Sequence, residues 1–126
     1  MSKQLIDLVL PRLAKTLYRE LKRFKAGKLG ETEFSECFEH LVQRQHEWLI
    51  GKGVSEVRAA LALHSAVLVL SSPGLRTEAA EQGIPVEIME FKAIQEAAAD
   101  VAENYGVSRG RAADVIGNIV SRFGND

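Results

Sequence analysis

The segment Ala60 to Ser71, ALALHSAVLVLS, is the strongest constraint on what this chain can become. Wound as a helix, it places apolar residues around nearly the whole circumference, so no face of it can be left to water. Such a helix is stable only when other elements cover it on several sides. Ser55 can cap it, and Glu56, Val57 and Arg58 lead into it, so a central apolar helix is expected over about 55–71. The rest of the chain must supply its cover.

That cover reads as helical. There are no long alternating runs and no Asn-Gly or Asp-Gly hairpin turns, whereas nearly every segment between glycines has apolar spacings of three and four. The first helix is expected from about Lys3 to Ala26, with Leu13, Leu17, Leu21 and Phe24 inward and Pro11 either kinking it or starting its main part. Gly27 and Gly30 end it. The second, from about Glu31 to Ile50, has the cleanest stripe: Phe34, Cys37, Phe38, Leu41, Val42, Gln45, Trp48 and Leu49. Trp48 has two readings there, a buried indole with a hydrogen-bond partner or an aromatic anchor at a surface.

After the central helix, Ser72, Pro73 and Gly74 have the order of a cap followed by a first-turn proline, which predicts a short fourth helix closed by Gly83. Pro85 starts a long fifth, with Phe91, Ile94, Ala98, Val101, Ala102 and Tyr105 inward and Lys92, Glu96, Asp100 and Glu103 outward. The short, long, short order of the last three helices superficially resembles a histone fold, without the basic loop residues that hold DNA there. The expectation is an all-α chain, a single domain over 1–126 built as a compact bundle of about six helices, with a central apolar helix and a C-terminal helical hairpin. At 126 residues, with 46% hydrophobic and 26% charged residues, it can bury a core without staples.

The C-terminal hairpin carries the most specific pattern, DVAENYGVSRGRAADVIGNIVSRF from Asp100 to Phe123. Gly106 stands where a helix takes a left-handed C-terminal residue, Val107 can pack back over the turn, and Ser108 can cap the next helix. That helix carries the stripe Ala112, Val115, Ile116, Ile119, Val120 and Phe123. The order Asp100, Val101, Ala102, Glu103, then Gly106, Val107 and Ser108 resembles the helix-turn-helix of bacterial repressors of the lactose-repressor type. The resemblance implies contact with duplex DNA through Arg109, Arg111, Asn118 and Arg122. Asp114 lies among them, Gly110 sits where a reading side chain is expected, and residues 61–126 hold five cations against nine acids, a net −4. Affinity for duplex DNA comes largely from cations that replace counterions at phosphates, and an acidic module offers few.

The opposite charge lies at the other end. Residues 1–30 hold eight cations against Asp7 and Glu20, a net +6, and Arg12, Lys15, Arg19, Lys22 and Arg23 gather on one helical face. Such a face suits nucleic acid, an anionic surface, an acidic partner or plain solvation.

Chemistry-bearing sets are incomplete. Cys37 and His40 lie three apart, but the third and fourth ligands of a zinc site are missing, and His46 points elsewhere on the helix. His64 interrupts an apolar stripe and reads as a hydrogen-bonded core histidine. His46 and Glu47 lack the second histidine of a zinc-protease motif, and there is no nucleophile elbow and no phosphate-cradling glycine loop. No cofactor is expected. The single cysteine agrees with a reducing interior, no signal peptide is read at the N-terminus, and the Ala59–Leu70 run is too short to span a bilayer. The expected role is therefore a non-enzymatic cytoplasmic regulatory or protein-interaction module, binding a protein partner or its own copy. The alternative is a helix-turn-helix DNA-binding regulator.

Overall fold

The computed structural model describes the backbone of residues 2–124 and the side chains of residues 6–122. Phe123 in the expected stripe, and Lys3 and Asp126 in the charge counts, lie outside the described side chains. The described residues form five α-helices and no strand: α1 (Ser2–Lys25), α2 (Glu31–Gly51), α3 (Glu56–Gln82), α4 (Val86–Tyr105) and α5 (Arg109–Gly124).

The central helix is longer than expected, and this corrects the count from six to five. Ser72, Pro73 and Gly74 do not open a new helix; α3 runs through them to Gln82. Pro73 has no N–H to give to the Val69 carbonyl, which in a helix interior costs roughly 3 kcal/mol. The axis nevertheless continues, because side chains on both sides of the proline are held by neighbours: Val69 and Leu70 pack on a core cluster, Ser72 is buried, and Ala79 is buried about two turns further on. The cap-then-proline order is a local preference that tertiary packing overrides. With the short helix absorbed into α3, the short, long, short order behind the histone likeness is not present. Pro11 is likewise carried inside α1.

Three expected helix-end signals, Ser55, Gly83 and Gly106, are realised here, and Glu33 adds one that the sequence reading did not include. Ser55 Oγ accepts from the Arg58 N–H at 3.3 Å, and the Glu33 carboxylate reaches back to accept from the Gly30 N–H at 3.2 Å. Gly83 and Gly106 end α3 and α4 at φ of 67° and 68°, a left-handed geometry that costs a residue with a Cβ.

α3 is the one helix that packs substantially against all four others. One core cluster joins Ile6, Val9 and Leu13 of α1 with Leu41 and Leu49 of α2, the α3 face containing Ala62 and Leu63, and Ile119 of α5. A second joins Ala60 of α3 to Ala98 and Val101 of α4 and to Ala112, Ile116 and Val120 of α5. Thus α1 and α2 cover one side of α3, α4 covers another, and α5 contributes to both clusters. Each fully buried leucine or isoleucine here, such as Leu13 or Ile116, is worth about 1.5–3 kcal/mol. Alanines 59, 60, 62 and 66 are all buried, so α3 contributes small side chains here and the larger ones in the core come mainly from its neighbours. By length and composition alone α3 reaches what a membrane crossing needs, beyond what the Ala59–Leu70 run suggests, and here it packs against all four other helices, with 39% of its most apolar window buried.

The α1–α2 hairpin has its own fastenings. Phe24 and Phe34 stack across the turn with centroids 5.2 Å apart. Arg12 donates from Nε to the buried Gln45 amide oxygen at 2.7 Å and lays its guanidinium over Trp48, 4.1 Å from the ring centre, while Lys52 approaches the same ring at 5.4 Å. Trp48 is half-buried between two cations.

Because Pro73 is exposed and sits in a continuous helix, Pro73→Ala restores a backbone hydrogen bond and removes no buried contact. Thermal and urea unfolding should show a gain on the order of 2 kcal/mol after the lost restriction of the unfolded chain is subtracted. A destabilised variant would mean that the proline serves as a helix start after all.

Candidate functional site

α2 and α4 both pack on α3 but not closely on each other, and the gap between them is a cleft of about 420 Å³. Its floor is one face of α3, formed by Ala60, Leu63, His64 and Val67 at spacings of three, one and three. Its near wall is one face of α2, with Phe38 and Val42 beside Glu39, Gln43 and His46. Tyr105, the last residue of α4, forms the far wall.

Two polar pairs tie the cleft to α4. The Tyr105 hydroxyl lies 3.3 Å from His46 Nε2, with the rings at 6.4 Å and nearly parallel, so the pair bridges the gap from α2 to α4. His64 Nε2 lies 3.1 Å from Asp100 Oδ2, which joins α3 to α4. Burial pushes the His64 imidazole below its ordinary titration range, and the Asp100 carboxylate, by charge and hydrogen bond, only partly offsets this. Neutral His64 therefore keeps its proton on Nε2, donated to Asp100. The lining contains no lysine, arginine, serine or cysteine. It offers an apolar body, two imidazoles, a phenol, an amide and one carboxylate, a set suited to holding a small molecule and to exchanging protons with it.

No protein-family model, curated protein or solved structure matches this chain.

Function must then be read from where the structure puts each candidate residue. In the hairpin, Gly106 takes the left-handed conformation, its N–H reaching the Ala102 carbonyl, and Ser108 caps α5 by accepting from the Arg111 N–H at 3.3 Å. Arg109 is exposed at the start of α5; Arg111, Asn118 and Arg122 are exposed along one face of it, with Asp114 exposed among them. The basic face of α1 is less uniform than its sequence suggests. Arg12 is committed to Gln45 and Trp48, and Arg19 and Arg23 approach Glu20 at 3.7 and 3.0 Å, which leaves Lys15 and Lys22 as exposed cations without a partner among the described residues. Cys37 is half-buried and His40 exposed, and no cluster of three or more histidine, cysteine, aspartate or glutamate side chains suited to a metal occurs among the described residues.

Two features escape the sequence reading. The cleft does, because Phe38 and Val42 lie in the same apolar stripe as the buried Leu41 and Leu49, and only the spread of α2 from α4 leaves them facing a gap. The other is Phe91, expected inward but 64% exposed. It lies seven residues before Ala98, on nearly the same side of α4, but at that level α4 meets its neighbours through Glu90, Ala93 and Ile94 instead. With Ile88, 59% exposed, it makes an apolar pair at a spacing of three on α4, and Ile84, 36% exposed, lies in the turn just before the helix. That spacing is the signal that was present in the sequence.

The His64 environment has a measurable consequence. Asp100 on α4 is its charged partner at 3.1 Å, and Tyr105, Glu39 and His46 share the cleft lining with it. In an NMR titration its midpoint should fall below 6.5, and Asp100→Asn should lower it further by removing the one raising influence. Because the unfolded chain binds this proton more tightly, the contribution of neutral His64 to stability is complete above 6.5 and declines as pH drops through that value toward the folded midpoint. A midpoint at or above 6.5 would contradict the burial.

Proposed function

We propose that this protein is a non-enzymatic interaction module that associates head to tail with its own copies, α1 of one copy docking on the apolar start of α4 of the next. The observation that carries this reading is the exposed apolar group at the start of α4, Ile88 and Phe91 at a spacing of three with Ile84 in the turn just before the helix, since scattered single apolar residues are ordinary on a surface but such a group is less so. Its surroundings are acidic: residues 76–96 hold Glu78, Glu81, Glu87, Glu90 and Glu96 against Arg76 and Lys92. The complementary surface is on the same chain. Leu8 and Tyr18 of α1 are 52% and 59% exposed, and ideal helix geometry groups them with Lys15, Arg19 and Lys22. One face is apolar with acids, the other apolar with bases, and the two are different surfaces, so the contact is heterologous. A cytoplasmic setting belongs to this reading.

Sedimentation velocity should show association that rises with protein concentration and falls with salt. Phe91→Asp, and separately Lys15→Glu with Arg19→Glu, should each weaken it at least tenfold, about 1.4 kcal/mol. Mixing these two variants should restore a one-to-one dimer, since each retains the half the other lacks. A salt-independent monomer at all concentrations would end the proposal.

A second reading, a DNA-binding regulator, is supported by the turn at Gly106 and Ser108 and by the exposed Arg109, Arg111, Asn118 and Arg122. The acidic balance of this half and Asp114 on the same face oppose it. Fluorescence anisotropy with a mixed-sequence duplex decides it: salt-sensitive binding lost in Arg111→Ala favours this reading, and no binding at low salt removes it.

A further inference from the structure

We infer that the cleft over α3 is a binding site for a small hydrophobic amine, a compact aromatic or branched hydrocarbon body bearing one protonated nitrogen. The site is separate from the apolar start of α4, so the inference stands or falls independently of self-association.

Size and lining set the body of the ligand. A volume of about 420 Å³ falls within the range of small-molecule sites, about 300–1,000 Å³. Phe38 and Val42 on the α2 wall face Leu63 and Val67 on the floor, so most of the surface offered is hydrocarbon. The Tyr105 ring closes the α4 side, held in place by its hydroxyl contact with His46.

Charge sets the head group. Glu39 is the one formally charged side chain in the lining, and no lysine or arginine accompanies it. Asp100 lies 3.1 Å from His64 Nε2 and is not part of the lining, but its negative charge stands next to one of the lining residues. The His64 imidazole stays neutral, because burial disfavours its cation. A carboxylate or phosphate entering this cleft would meet Glu39 with no cation to pair with, and would lose its hydration. An ammonium group finds the Glu39 carboxylate, the Gln43 amide oxygen and the aromatic rings of Phe38 and Tyr105 in the lining, and such rings attract cations. The same apolar body thus binds better with a positive head than with a negative one.

The test pairs each amine with the carboxylate of the same ring system: benzylamine with benzoate, and naphthylmethylamine with naphthoate. Titrations are followed by calorimetry and by NMR shifts of His46, His64 and Tyr105. Both amines should bind, at least tenfold more tightly than their matched carboxylates, with the largest shifts at these three residues. Glu39 is exposed on α2, so Glu39→Gln should leave the fold intact; it should weaken amine binding several-fold and narrow the difference between amine and carboxylate. Val42→Trp, which fills the cleft from the α2 wall, should abolish binding while circular dichroism confirms the helices. Failure of both amines to bind, equal affinity for amines and carboxylates, or shifts confined to other residues would each overturn the inference.

Discussion

The structure depends on one requirement: an apolar helix must be covered on several sides. α3 can meet that requirement only in the company of four others, and it is the one helix that packs substantially against all of them. The other helices need bury only one face each, which is why their sequences show cleaner stripes. Buried alanines 59, 60, 62 and 66 are the small side chains that α3 contributes, and the larger ones in the core come mainly from its neighbours. The same cover holds α3 continuous across Pro73, where local chemistry alone favours a break.

Covering a cylinder with four others leaves gaps, and the cleft of about 420 Å³ is one of them. Between α2 and α4, the half-buried Val67 and His64 of α3 line the gap, with the buried Leu63 beneath them. Polar pairs bridge what apolar packing does not close, His46 with Tyr105 and His64 with Asp100. Each joins α4 to a helix on the other side of the gap or beneath it. The site and the fold therefore share one origin, since the cleft is the remainder left by the cover and its polar groups are the fastenings across it.

How far this was legible in the sequence follows the range of the forces involved. Helix ends were readable because caps act within four residues: Ser55, Gly83, Gly106 and Ser108 all behave as their local chemistry dictates. The stripe of α2 was readable because its period is intrinsic to the helix, and Leu41, Gln45 and Leu49 are buried as it requires. Pro73 misled because a proline inside a helix and a proline that starts one have the same neighbours in sequence, and only Ala79 and Ser72 finding cover distinguishes them. Phe91 misled because periodicity gives the direction of a side chain but not whether a neighbouring helix extends that far. His64 was expected to be a hydrogen-bonded core histidine; it is hydrogen-bonded but half-buried, and its partner lies 36 positions away on another helix. Long-range pairs of that kind leave no mark in a single sequence.

The most direct test of the organisation is native-state hydrogen exchange along the chain. If α3 is the element on which the others depend, its amides from Ala59 to Leu70 should exchange only through global unfolding and give the highest opening free energy in the protein. The ends of α1 and α5 should open at lower cost. Exchange of α3 by a local opening while α1, α2, α4 and α5 stay protected would contradict a fold built around it.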